Sequence, residues 1–142
     1  MISCKKCIRA VRSRLRRLFK AGVKFLSMKV LYPACYNFHK LRPVDERRVV
    51  FVEVRMRTVS DNYALLYDAL KCGFDFDLRV HFLEELLVPM ATTYRRSVRA
   101  LRDIARAKYV FINDATNMIN AVHVRPETKV IQVWHACGPF KM

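Results

Sequence analysis

The sequence is poor in glycine, and its first 44 residues contain no acid. Gly22, Gly73 and Gly138 are the only glycines in 142 residues, so neither a Walker A phosphate loop nor a G-x-G-x-x-G turn exists in the chain. That excludes an NTPase or a dinucleotide-dependent oxidoreductase of the usual kind. No stretch reaches the roughly 18 apolar residues that span a bilayer. A secretory signal is excluded as well, because its apolar core would have to cross Lys20, Lys24 and Lys29 and no good cleavage site follows. Cys4, Cys7, Cys35, Cys72 and Cys137 are odd in number and scattered, which argues against a disulfide framework and for a reducing, cytosolic setting. Cys4-x-x-Cys7 lacks the second ligand pair that zinc requires. Neither a metal nor a cofactor is expected.

What the chain has in excess is positive charge, with a formal net charge of +15. Charge of this size points to a polyanionic partner: nucleic acid, an anionic bilayer or a phosphate-rich substrate. The excess is local. No acid occurs from Met1 to Val44, whereas Lys5, Lys6, Arg9, Arg12, Arg14, Arg16, Arg17, Lys20, Lys24 and Lys29 crowd the same stretch. Over Cys4 to Leu26, Ile8, Val11, Leu15, Leu18, Phe19, Phe25 and Leu26 fall on one stripe at helical periodicity, opposite the basic residues. A basic amphipathic helix of this kind suits an anionic membrane interface, with Lys5, Lys6, Arg9, Arg12, Arg16, Arg17, Lys20 and Lys24 meeting lipid headgroups. The competing arrangement is a helix packed on the protein's own core with a solvated basic face.

From Arg47 the pattern changes. Leu31 to Arg48, interrupted by Pro33 and Pro43, is expected to be a connector with one helical turn. Val49 to Val54 fits a buried parallel strand. Ser60 is placed to cap a helix over Asp61 to Cys72 with Leu65, Leu66, Ala69 and Leu70 inward, and Gly73 stands where a C-terminal cap belongs. Further strands are expected at Leu78–Leu83, Tyr109–Ile112 and Lys129–Trp134. A helix is expected over Thr92–Ala107, with Val98, Leu101, Ile104 and Ala105 on one face, and a helical turn near Thr116–Asn120. Such alternation predicts an α/β, Rossmann-like parallel sheet with flanking helices.

In such sheets ligands bind beyond the carboxyl ends of the strands. Arg55, Arg57, Ser60, Asp61 and Asn62 follow the first strand, Asn113 and Asp114 the third, and His135 the fourth. Arg55 and Arg57 either fork a phosphate or are simply solvated. Asn113 and Asp114 either cap a helix or serve the site. His135 is either a general base near neutral pH or a histidine bonded to backbone. Cys137 is too close to His135 in sequence to form a nucleophile pair with it.

Three blocks at these positions resemble the CDP-glycerol glycerophosphotransferase family, the teichoic-acid polymerases and primases. They are Val49 to Tyr67 with Arg55 and Ser60-Asp61-Asn62-Tyr63, Ala105 to Asp114, and Val130-Ile131-Gln132-Val133-Trp134-His135. The likeness covers roughly Val49 to Met142. It departs from the family pattern at Ala136, where glycine is common, and at Lys141, one residue further from the histidine than usual. The resemblance implies the N-terminal, acceptor-facing half of a GT-B-like architecture. The expected organisation is a membrane-surface helix (1–29), a connector (30–47) and a Rossmann-like domain (48–142) truncated before the donor-binding domain.

It further implies transfer of glycerol phosphate, or a related polyol phosphate, from a CDP-activated donor to a lipid-linked acceptor at the cytoplasmic face of the membrane. His135 would be the base, and Arg55, Arg57, Ser60, Asp61, Asn62, Asn113, Asp114, Trp134 and Lys141 the substrate contacts. CDP-glycerol would bind only with a C-terminal domain, so the chain alone is expected to be inactive, and no nucleic acid is expected as partner. Charge alone leaves a nucleic-acid-binding protein or a non-catalytic membrane adaptor as alternatives.

Overall fold

The protein's computed structural model describes residues 2–85 and 87–133, without the side chains of residues 2–11 and Asn62. Helix α1, Ile2–Leu26, runs into a π-helical turn, Ser27–Leu31, and then into α2, Tyr32–Lys40. The segment expected to be a connector is therefore mostly helix. Pro33 sits in the first turn of α2, where a missing N–H costs little. Because proline cannot donate to the preceding turn, the ladder slips there, and the Tyr32 N–H bonds to the Ser27 carbonyl five residues back. Such insertions re-aim a helix.

Four strands follow: β1 (Asp45–Glu53), β2 (Asp77–Phe82), β3 (Ala107–Ile112) and β4 (Lys129–Gln132). All three pairings are parallel, in the spatial order β2-β1-β3-β4. The helices between them are α3 (Asp61–Gly73), α4 (Met90–Ile104) and α5 (Asn117–Asn120). The expected Rossmann-like class is thus realised. β1 begins earlier than its apolar run, because Asp45 N–H bonds to the Arg106 carbonyl at 2.9 Å. β4 ends at Gln132, and Trp134, the expected end of this strand, lies outside the described residues.

Alternation along β1 explains the layers. Val50, Val52 and Val54 face a core with Tyr32, Tyr36, Leu101, Ile104 and Met118. Val49 and Phe51 face the other side with Tyr63 and Phe111. Each fully buried side chain of this size contributes about 1.5–3 kcal/mol. The α4 face is as expected: Leu101, Ile104 and Ala105 are buried and Val98 packs on them. The α3 face is not. Leu65 is 85% exposed and Leu66 and Ala69 are also exposed, while Tyr63 is buried and Tyr67 and Leu70 are half-buried. Phe51 decides the matter. Its ring stacks on Phe111 (centroids 5.0 Å apart) and meets Tyr63 at 5.3 Å and Tyr67 at 5.5 Å, so the aromatic i, i+4 stripe wins over the aliphatic one. Gly73 belongs to the last turn of α3 and has no positive φ; extended Phe74 ends the helix.

Among the described side chains of helix α1, the apolar stripe does not pack on the protein's own core. Leu15, Leu18 and Phe19 are 67%, 70% and 73% exposed, beside exposed Arg12, Arg16, Arg17 and Lys20. No helix among the described residues is long and apolar enough to cross a membrane.

Candidate functional site

From the central β1 the chain goes to β2 on one side, then returns past it to β3 on the other. The carboxyl ends of β1 and β3 therefore open a crevice at the point where the winding reverses, the position such sheets use for ligands.

Glu53, the last residue of β1, occupies that crevice and is fully buried. Its carboxylate accepts from the side-chain amide of Asn113, from the Tyr63 hydroxyl at 3.0 Å and from the Ser60 N–H at 3.3 Å. Asn113 also accepts from the Val54 N–H at 3.3 Å, tying the ends of β1 and β3 together. Burial, with the neighbouring charge of Glu53 second, pushes the Tyr63 hydroxyl far above its ordinary value, so it stays a neutral donor. A buried carboxylate is tolerated only when hydrogen-bonded in this way. Sequence reading passed over Glu53; the signal was a lone acid inside an otherwise apolar β-branched run.

The two arginines after β1 reach outward from this network. Arg55 pairs with Asp114 at 2.6 Å and Arg57 with Glu84 at 2.9 Å. Both remain exposed, at 62% and 71%. Glu84 also holds Arg96 at 2.6 Å and has a φ of 51°, a left-handed conformation rare for a residue with a Cβ. The hydrogen bond from Arg96, opposed in part by burial and reinforced by the charges of Arg96 and Arg57, holds the Glu84 carboxyl below its ordinary value of 4.5. Arg57, Arg96 and Arg99 with Glu84 line an open groove beside β2, where three guanidiniums outnumber one carboxylate. Sequence reading also missed Glu84 and Arg96, which only the fold brings to Arg57.

The remaining residues fall as follows. Ser60 is the N-cap of α3 through its carbonyl, which accepts from Tyr63 and Ala64, while its hydroxyl is buried without a partner. Asp61 is exposed in the first turn of α3. The helix-cap alternative for Asn113 and Asp114 fails, because Thr116 caps α5 by accepting from the Met118 N–H at 3.3 Å. The side chain of Asn62, and all of Trp134, His135 and Lys141, lie outside the described residues. Val133 donates to the Ile112 carbonyl at 2.8 Å and packs on the Phe51–Tyr63 cluster. The segment that leads into Trp134 is thus anchored on the side of the sheet that carries Ser60 and Tyr63.

Residues 34–142 match the family model described as CDP-Glycerol:Poly(glycerophosphate) glycerophosphotransferase. The chain belongs to this glycerophosphotransferase family.

Among its relatives, the teichoic acid ribitol-phosphate polymerase TarK of Staphylococcus aureus is 32% identical over 130 residues, 87% of this chain and 25% of that protein. The teichoic acid ribitol-phosphate primase of Bacillus spizizenii is 32% identical over 105 residues, 71% of this chain and 26% of that protein. The S. aureus polymerase TarL is 28% identical over 133 residues, 89% of this chain and 23% of that protein. The chain spans about a quarter of the length of these curated relatives.

Proposed function

We propose that this glycerophosphotransferase-family chain contributes the acceptor-facing portion of an enzyme that moves a polyol phosphate from a CDP-activated donor to a lipid-linked teichoic-acid acceptor. The observation that carries this reading is the convergence of Arg55, Asn113 and Asp114 on one crevice at the switch point, with Arg57 in the basic groove beside it, in a chain whose relatives are named for ribitol-phosphate transfer. Those names favour ribitol phosphate over glycerol phosphate as the transferred unit.

In this scheme the acceptor's terminal hydroxyl gives its proton to His135. Its oxygen attacks the phosphorus that bears the polyol, the bridging P–O bond of the donor breaks, and CMP leaves. Arg55 and Arg57 exchange their carboxylate partners for acceptor phosphates, which resemble them in charge and fork geometry. Most of the rate in such transfers comes from positioning and charge neutralisation. Donor binding falls to the part of the relatives' length that this chain does not cover, so turnover requires that part.

Helix α1 supports placement at the cytoplasmic face of the membrane. Its exposed apolar side chains and adjacent bases fit an anionic bilayer surface. Lys5, Lys6 and Arg9 extend the same basic run in sequence.

The test is CMP release from CDP-ribitol and CDP-glycerol, using this chain with a separately supplied donor-binding portion of a relative and a lipid-linked acceptor. CMP release only by the pair supports the proposal. No release by the pair, with vesicle binding intact, favours a membrane adaptor. Tighter binding to DNA than to anionic vesicles at matched salt favours a nucleic-acid protein.

A further inference from the structure

β2 is an edge strand whose only neighbour among the described residues is β1. The Leu83 N–H bonds to the Glu53 carbonyl at 2.8 Å. Amide direction alternates along a strand, so Arg79, His81 and Leu83 turn their backbone groups towards β1, and Leu78, Val80 and Phe82 turn theirs outward. In keeping with that, Arg96 of α4 donates to the Phe82 carbonyl at 3.3 Å. We infer that this edge accepts an extended segment of a protein partner as an added strand, with alternating acidic and apolar side chains. The inference goes beyond the transferase role and does not rest on it.

The two faces of β2 decide the alternation. Arg79 and His81 stand in register with Val50 and Val52, on the side of α4. His81 is tied there to Asp103 of α4 at 3.0 Å. Leu78 and Val80 stand in register with Val49 and Phe51 and pack on their cluster, on the side of α3. Phe76 joins the same cluster, and its ring meets exposed Phe74 at 5.7 Å. A strand laid beside β2 therefore meets bases with every second side chain and apolar surface with the others.

Charge complementarity decides the sign. Arg57, Arg96 and Arg99 line the groove beside this edge. Arg95 and Arg102, exposed one turn to either side of Arg99, extend the basic stripe along α4. The acids nearby are already engaged: Glu84 by Arg57 and Arg96, Asp77 by Arg48 and Arg79, and Asp103 by His81. Positive charge is left over, and Glu84 shows that the groove holds a carboxylate between two guanidiniums. A second copy of this chain is a poor occupant, because two such edges would bring arginine stripes together in chains of net charge +15. A nucleic acid would use the arginines but not the outward amides of β2. A peptide backbone uses both.

The ends of the edge set the length. Glu84, with its φ of 51°, turns the chain away after Leu83, and Arg96 occupies the carbonyls of Phe82 and Leu83. At the other end Asp77 is tied to Arg48. The open stretch is β2 itself, 6 residues, or about 20 Å at the rise of a strand.

The experiment titrates the full chain, at neutral pH, with a fluorescein-labelled heptapeptide of alternating glutamate and valine, read by anisotropy. Comparison peptides have the same residues in two blocks, lysine in place of glutamate, or N-methyl groups on either the glutamate or the valine amides. Saturable binding of the alternating peptide is expected, about tenfold or more tighter than the block isomer, which measures unspecific attraction to α1. Only one of the two N-methylated isomers should lose binding, by about tenfold or more, because only alternate amides of an added strand face β2. Amide exchange at Val80 and Phe82 should slow in the complex. Arg99→Glu should weaken binding about tenfold, with an unchanged urea midpoint showing that the fold is intact. Equal binding of the block isomer, or equal effects of the two N-methylated isomers, overturns the inference. So does binding of the lysine peptide as tight as that of the glutamate one, and so does the absence of saturable binding. Displacement of the peptide from Val80 and Phe82 by a DNA oligonucleotide that binds more tightly at matched salt assigns the edge to nucleic acid and overturns it as well.

Discussion

The Glu53 carboxylate at the end of β1 and the Asn113 amide at the end of β3 are hydrogen-bonded to each other across the switch point. This bond fixes where the two strands stop, and the loops beyond it inherit their spacing. Arg55 and Asp114, each one or two residues further on, meet at 2.6 Å because Glu53 and Asn113 already do. A buried polar pair thus sets the geometry of an exposed charged one.

Breaking that pair should destabilise the fold. Asn113→Ala leaves Glu53 short of a donor, and Tyr63→Phe removes another; each should cost about 1–3 kcal/mol. Urea unfolding measures both, and a double-mutant cycle of Glu53→Gln with Asn113→Ala should show a coupling of about 0.5–3 kcal/mol. Additive effects would mean that the two side chains do not act as a unit.

The exposed arginines should behave in the opposite way. The guanidiniums of Arg55 and Arg57 stay mostly in solvent while their carboxylate partners Asp114 and Glu84 are largely covered, and Glu84 keeps Arg96 when Arg57 is lost, so each pair contributes about 1 kcal/mol or less. Arg55→Ala and Arg57→Ala should therefore leave urea midpoints nearly unchanged while raising the KM for acceptor in the reconstituted reaction. A stability loss well beyond about 1 kcal/mol, with KM unaltered, would make them structural residues instead.

These two results bear on what the sequence could reveal. The parallel sheet, its four strands and the gathering of Arg55, Arg57, Asn113 and Asp114 at one edge were legible, because periodicity reports burial and strand ends report position. Glu53 was legible only as an anomaly: a lone acid in a β-branched run marks a buried carboxylate, but not the three donors that surround it. Glu84 was hidden for a similar reason: its partners Arg57 and Arg96 are 27 and 12 residues away. The inward face of α3 was misread because aliphatic residues were weighed above the tyrosines that Phe51 selects. Helix α2 was missed because Pro33 was taken as a breaker, whereas in a first turn it is compatible with helix.

His135 offers a kinetic prediction. In the reconstituted enzyme, His135→Ala should lower kcat by about 10²–10⁴ if it is the general base, with KM for acceptor little changed. The low-pH limb of the wild-type kcat profile should vanish in the variant. Retention of full kcat would assign the proton to another group.

Helix α1 predicts a separation of binding from folding. Leu18→Ser with Phe19→Ser alters two exposed side chains, so stability should stay within about 0.5 kcal/mol per site. Affinity for anionic vesicles should fall, because the apolar insertion is lost. Binding should also weaken with added salt, as charge attraction to the surface is screened beyond about 8–10 Å at physiological ionic strength. Vesicle affinity indifferent to both the substitutions and salt would remove the helix from membrane binding.

Acid should unfold the protein partly through Glu84. Its carboxyl is held below the ordinary 4.5 by Arg96 and Arg57 in the folded state, so the unfolded chain binds the proton more readily. The stabilisation is therefore fully present above pH 4.5 and is lost as pH falls through the lower, folded value. Asp103 acts in the same sense: burial pushes its carboxyl up, but the hydrogen bond and charge of His81, with Arg102, bring it below its ordinary value. Glu84→Gln removes only the first contribution. Urea midpoints measured from pH 6 to pH 2.5 should fall less steeply below pH 4.5 in the variant than in the wild type, with the Asp103 contribution remaining in both. Parallel curves would show that the Glu84 cluster does not distinguish folded from unfolded chain by charge.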